Sequence, residues 1–261
     1  MNLAQALHTA ARRYCINQHT YWATRYSEIS SADRDRAGIF PRYNVLNTIR
    51  VELERIDPDK LTDLNATRDQ IMLAGINAND EFTLKPIRQI DADAMANERK
   101  AFCTFIRELS DVELPFVEPL PYQRVLSKSE SEFLWSQLRK RWNIADGYWF
   151  PLAECPLLDV AAFQDRYFNE FCSSFSLTNL LSARGISRIW ELREYGPEYE
   201  QEKSIFSPHY DGAEGYWSSD NLDWIVYASH ESSITVGGWL LTEVKDHWTE
   251  WEKRIWNSPF F

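Results

Sequence analysis

Trp224-Ile225-Val226-Tyr227-Ala228 and Ser233-Ile234-Thr235-Val236 flank the polar tetrapeptide Ser229-His230-Glu231-Ser232, and Gly237-Gly238 follows. Branched and aromatic side chains fit the pleated surface of a strand. A short polar break between two such runs joins antiparallel neighbours. The stretch predicts a hairpin whose second strand ends at the glycine pair.

Working back from it, Ile186 to Arg193 has a period of two, with Ile189 and Glu191 between Arg188, Trp190 and Leu192, as a third strand requires. Before that the spacing is helical. Ser129 and Glu132 have capping-box spacing ahead of Phe133, Leu134, Leu138 and Trp142. Asp146-Gly147 turns the chain, Asp159 suits the cap of a helix bearing Val160, Phe163, Tyr167, Phe168 and Phe171, and Gly185 stops a short helix after Leu180 and Leu181. Beyond the hairpin, Trp248, Trp251 and Ile255 predict a closing helix.

The N-terminal part carries little strand signal. Leu3, Leu7, Ala11, Tyr14, Cys15, Tyr21, Trp22 and Tyr26 form one stripe of a long helix, interrupted by Asp33 to Gly38. Pro41 suits the first turn of a second, with Val45, Leu46, Ile49, Leu53 and Ile56 on its apolar side, closed by Asp57-Pro58. Asn65 is placed to cap a third helix and Gly75 to end it, and Ile90 through Leu109 keep helical spacing in a fourth. Pro115, Pro119 and Pro121 predict an extended, stiff connection. The expected class is α+β: an antiparallel helical bundle over 1–114, a Pro-rich connection over 115–122, and a half over 123–261. In that last part, helices precede an antiparallel sheet of at least three strands and a C-terminal helix.

Charge and aromatics divide the chain the same way. Of 261 residues, 1–114 hold 15 Lys+Arg against 17 Asp+Glu, while 115–261 hold 13 against 22, so most of the net charge of −11 lies in the second half. Ten of the eleven tryptophans lie there too, from Trp135 to Trp256. A pI near 5.0 argues against nucleic acid, whose binding draws on clustered Lys and Arg. No run approaches the roughly 18 apolar residues of a membrane helix. The start of the chain lacks the charge and apolar block of a secretory leader, so the expected location is cytoplasmic. Cys15, Cys103, Cys155 and Cys172 lie far apart and match no metal or redox spacing.

No catalytic motif is present. A Gly-x-Ser-x-Gly elbow and a Gly-x-x-x-x-Gly-Lys phosphate loop are both missing, and Gly237-Gly238 has no further glycine pattern. Neither a cofactor nor a metal is expected. The densest polar stretch offers His209, Asp211, His230 and Glu231 as an acid–base or metal-ligating set, the basis of a metal-dependent hydrolase reading. Tyr148-Trp149-Phe150 and Tyr216-Trp217 stand in turn-like surroundings, where exposed rings stack on sugars or bases or anchor a partner, whereas Trp135, Trp142, Trp190, Trp224 and Trp239 have core spacing. Glu191, Glu194, Glu198, Glu200 and Glu202, followed by Asp211, Glu214, Asp220 and Asp223, supply an acidic rim.

The leading expectation is a non-catalytic cytoplasmic protein that binds a basic protein, as a bacterial immunity protein neutralises a toxic nuclease. Its contacts are Trp149, Glu194, Glu198, Glu200, Glu202, Glu214, Trp217 and Asp220. Reversing Glu198, Glu200 and Glu202 to Lys is expected to weaken association and leave folding intact.

Overall fold

The computed structural model describes residues 1–30, 33, 38–86, 88–144, 149 and 155–256. The chain divides into two compact units, Met1–Leu120 and Pro121–Phe261. The expected turn at Asp146-Gly147, the Tyr148 and Phe150 rings, and Arg34 to Ala37 of the first interruption lie outside the described residues.

The first unit is built from α1 (Leu3–Glu28), α2 (Ile39–Glu54), α3 (Leu64–Asn77) and α4 (Gln89–Glu108). α1 and α2 run antiparallel: Arg12 meets Glu54 at one end and the Arg42 guanidinium lies over the Trp22 ring at the other. The shared core holds Leu7, Ala11 and Cys15 of α1, Val45, Leu46, Ile49 and Leu53 of α2, Ile71 of α3, and Phe102 and Ile106 of α4. Leu3 and Tyr21, expected on the buried stripe, are exposed.

Three local expectations change here. Asp63, not Asn65, caps α3, accepting from the Ala66 N–H at 2.8 Å. Gly75 is not a terminator but an interior position of α3. A Cβ there would stand 2.5 Å from Cδ1 of Phe102, so glycine is what lets α3 and α4 approach. The proline stretch is not extended throughout, because Leu114–Phe116 forms a 3₁₀ turn closed by Val117 N–H to Leu114 O at 3.1 Å.

The second unit is one seven-stranded antiparallel sheet in the order β1-β4-β3-β5-β6-β7-β2. Its strands are β1 (Gln123–Val125), β2 (Val160–Gln164), β3 (Arg188–Arg193), β4 (Tyr199–Glu202), β5 (Gly215–Ser218), β6 (Trp224–Ser229) and β7 (Ser233–Gly238). Helix α5 (Lys128–Trp142) covers one face and α6 (Asp165–Ser174), α7 (Leu177–Ala183) and α8 (Trp239–His247) the other. β6 shows why both are needed. Trp224, Val226 and Ala228 pack with α6, α7 and α8, while Ile225 and Tyr227 pack with Leu138 and Trp142 of α5, so all six of its residues are buried. The α+β class, the helical first part, the antiparallel sheet and the C-terminal helix are as expected.

The differences again have local causes. Val160 to Phe163 is strand, not helix, because it pairs along β7 from Val160–Gly237 to Gln164–Ser233; the helix begins only at Asp165. The capping box uses Ser127 and Glu130 rather than Ser129 and Glu132. Glu130 is also gripped by Arg124 through two contacts of 2.9 Å, and that bidentate pair selects the register. The hairpin register pairs Ser229 with Ser233, leaving His230, Glu231 and Ser232 as a three-residue turn with Ser232 at φ 55°. The last helix starts earlier than expected, at Trp239, and Trp251–Arg254 forms only a 3₁₀ turn. Gly237 has a packing role rather than a phosphate-binding one, since a Cβ would meet the Trp142 ring at 2.8 Å.

Candidate functional site

Antiparallel pairing brings three connections to one end of the sheet. They are the β3–β4 turn around Tyr195, the segment leading from Phe206 into β5, and the β6–β7 turn at His230. Glu214, the last residue before β5, is the hub. Only 2% exposed, it accepts the Tyr227 hydroxyl on one oxygen and lies 2.6 Å from Nδ1 of His230 on the other. Nε2 of His230 lies 3.0 Å from Oε1 of Glu231. Tyr216 stacks on Tyr227 with centroids 4.5 Å apart. Burial, then the Tyr216 and Glu214 neighbours, push the Tyr227 hydroxyl well above the usual tyrosine range.

Of the four residues expected to form an acid–base or metal set, the fold therefore joins His230 and Glu231 and adds Glu214, but leaves the other two in different bonds. His209 is exposed, with Nδ1 2.7 Å from Ser207 O. Asp211 pairs with Arg193, which also holds Glu191 at 2.8 Å. Burial works to raise the Asp211 carboxyl, but the Arg193 bond and charge prevail and hold it below its ordinary value. The two carboxylates at His230 sit on opposite sides of one ring, so their oxygens do not converge on a single point. Among the described residues no group of three or more His, Cys, Asp or Glu is arranged to hold a metal ion. A buried carboxylate behind an imidazole can orient a general base, yet here Nε2 is occupied by Glu231.

The expected partner surface is also rearranged. Trp149 is 1% exposed and packs edge-on against Trp142 and Tyr227, and Trp217 is 2% exposed beneath Phe206, so neither ring offers a stacking platform. Glu198 accepts from the Trp135 indole at 2.5 Å and from the Arg193 N–H at 3.3 Å. Glu200 accepts from Arg124 at 2.9 Å and the Tyr122 hydroxyl at 3.1 Å, with Arg188 at 3.4 Å. Glu202 accepts from the Ser204 hydroxyl at 2.7 Å and the Tyr122 N–H at 3.4 Å. These three are internal ties of the β1–β4–β3 edge, so their reversal to Lys is expected to disturb the fold as well as any association. Asp220 lies at the other end of the sheet, accepting from the Trp190 indole at 3.0 Å. Only Glu194 remains exposed beside the Glu214 network.

Two rings that sequence reasoning passed over stand at this end. Tyr195 is 59% exposed and Tyr210 45%, and Tyr195 is near enough to help raise the Tyr210 hydroxyl above its ordinary value, after desolvation. Tyr210 also approaches His230, with ring centroids 6.3 Å apart. The available signal was Tyr195 itself, an aromatic inside the turn sequence Glu194-Tyr195-Gly196-Pro197, where no core stripe accounts for it. No protein-family model, curated protein or solved structure matches this chain. Among the described residues, no helix is long and apolar enough to cross a membrane.

Proposed function

We propose that this chain is a non-catalytic binding protein that engages a basic protein in the cytoplasm, in the manner of an immunity protein and a toxic nuclease. The contact surface is the end of the sheet bearing Tyr195 and Tyr210. The observation that carries this reading is the pair of exposed, neighbouring tyrosine rings set among the carboxylates of Glu194, Asp211, Glu214 and Glu231, which outnumber the Arg193 guanidinium there. Tyrosine is enriched at binding hot spots because it buries a large rigid ring and keeps a polar tip. Surrounding negative charge steers a basic partner and rejects an acidic one.

The test is capture from the native host with the tagged full chain at low and moderate salt, run beside the double variant Tyr195→Ala/Tyr210→Ala. A basic protein should be retained at low salt, released as salt rises, and lost with the double variant while the variant's circular dichroism is unchanged. Capture that survives removal of both rings, or no basic protein under either condition, rejects the proposal.

A further inference from the structure

A groove of about 430 Å³ runs beside α6, and every residue that lines it belongs to the second unit. Tyr167, Glu170 and Phe171 reach it because spacings of three and four put them on one face of α6. The rest of the lining comes from the chain around the end of α8: His247 is the last residue of that helix, Trp248 follows it, and Arg254 closes the 3₁₀ turn beyond. Four rings make a continuous row along the wall. Phe171 stacks on Trp248 at 4.9 Å and on Phe175 at 4.8 Å, and Phe175 meets the His247 ring at 4.9 Å. Aromatic-lined clefts of roughly 300–1,000 Å³ are the usual size for small-molecule sites.

Two unlike charges stand on this groove without ion-pair partners among the described residues, the Arg254 guanidinium and the Glu170 carboxylate. Arg254 is half-buried, with its guanidinium 4.3 Å from the centre of the Tyr167 ring. Glu170 is exposed one helical turn along from Tyr167. The two do not pair with each other although they share the groove. A charge drawn partly out of water is ordinarily paired, because it gives up solvation. Arg166, 4.2 Å from the centre of the same Tyr167 ring, adds positive charge at the Arg254 end. By contrast, Lys253 beside Arg254 is tied to Glu250, and His247 already uses Nδ1 on Glu243 O at 2.8 Å.

We infer that this groove binds a free aromatic α-amino acid, its ring against Phe171, Phe175 and Trp248, its carboxylate on Arg254 and its ammonium on Glu170. An uncharged aromatic molecule would use the wall and leave both charges bare. A plain anion would satisfy Arg254 but meet the like charge of Glu170. A zwitterion answers both. Its carboxylate takes two N–H donors of the planar guanidinium, and the ammonium on the same Cα turns toward the carboxylate one turn along α6. The edges of the stacked rings carry partial positive charge and suit the face of another ring. None of these residues belongs to the surface at Tyr195 and Tyr210, so occupancy of the groove does not depend on a protein partner.

Isothermal titration calorimetry of the full chain with L-phenylalanine is the test, and saturable binding is expected. L-phenylalaninamide, which lacks the carboxylate, should bind roughly tenfold more weakly, as expected for a charged hydrogen bond to a half-buried partner. N-acetyl-L-phenylalanine, which lacks the ammonium, should bind roughly threefold more weakly, as expected for an exposed ion pair. Arg254→Gln should weaken L-phenylalanine and leave the amide unchanged, whereas Glu170→Gln should weaken L-phenylalanine and leave the N-acetyl form unchanged. Both substitutions replace side chains at the groove's edge and should leave the circular dichroism as in wild type. Three results overturn the site: no saturable heat with millimolar L-phenylalanine, an amide or N-acetyl form that binds as tightly as the parent, or an affinity for L-phenylalanine unchanged in either variant.

Discussion

His8 sits on α1 with 1% of its surface exposed, and its Nε2 lies 2.9 Å from Leu53 O. The carbonyl accepts, so Nε2 carries a hydrogen and donates it. Burial, outweighing that bond and helped by Arg12, lowers its pKa from 6.5 to about 4. The unfolded chain binds this proton between those values and the folded chain does not, so stability falls as pH drops below 6.5. Between pH 7 and pH 5 the loss from His8 amounts to about 2 kcal/mol. His19, lowered by burial and then by Arg50, adds to it with the same sign. Glu54 acts oppositely: burial raises its carboxyl despite the 3.1 Å contact with Arg12, so its own contribution improves as pH falls toward 4.5. Urea titrations of wild type and His8→Gln at pH 7 and 5 check this. The variant should lose less than wild type, and an equal loss in both would assign the acid sensitivity to other groups.

At the scale of elements, the β1–β4–β3 edge is closed by charge. Arg124 joins Glu130 of the α5 capping box to Glu200 of β4, both members of the Arg124–Glu200 pair being mostly buried. The Arg124 hydrogen bond, ahead of the Ser127 contacts, draws the Glu130 carboxyl down to about 2. Glu200→Lys places a cation against Arg124 and Arg188 and should cost about 3 kcal/mol, as breaking buried pairs does. Glu194→Lys, on the exposed turn, should change stability by no more than about 0.5 kcal/mol. Denaturant midpoints of the two variants make the comparison, and equal midpoints would contradict the structural role of Glu200. The same contrast explains why half of the acidic residues first assigned to a partner surface belong to the scaffold. Along a sequence, Glu194 and Glu200 are both acidic residues near a Gly-Pro turn; only the cross-strand register puts Arg124, Glu200 and Arg188 side by side.

At the scale of the molecule, hydrophobic burial forms separate clusters. One lies wholly before Leu120, and two lie on opposite faces of the sheet after Pro121. Ile49 is fully buried in the helical cluster, so Ile49→Ala should cost about 2–5 kcal/mol through lost contacts and the cavity left behind. Ten of the eleven tryptophans belong to the other unit. Far-ultraviolet circular dichroism should therefore show a lower urea midpoint for the variant, while the emission maximum of the folded protein stays at its wild-type wavelength. A shifted emission maximum would mean that the helical core props up the tryptophan environment.

Several features were legible in the residues because their causes are local. Helical spacing located the four long helices of the first unit, Gly185 at φ 72° ended α7 where expected, and the β6–β7 hairpin followed from two branched and aromatic runs around a polar break. Net charge, the tryptophan asymmetry and the lack of a catalytic motif are properties of the sequence alone. Tertiary structure decided what depends on pairing between distant segments. Val160 to Phe163 became strand because β7 was there to pair with it, against a helical reading of the same residues. Trp217 and Trp149 went inside because helices cover both faces of the sheet, and no local pattern distinguishes a strand covered once from one covered twice. Glu214, His230 and Glu231 became one bonded group because β5 and β6 pair in a register that carries the residue before one strand to the turn after the other. Spacing along the chain carries periodicity and caps, whereas the partner of each buried polar group is set by contacts between segments far apart in sequence.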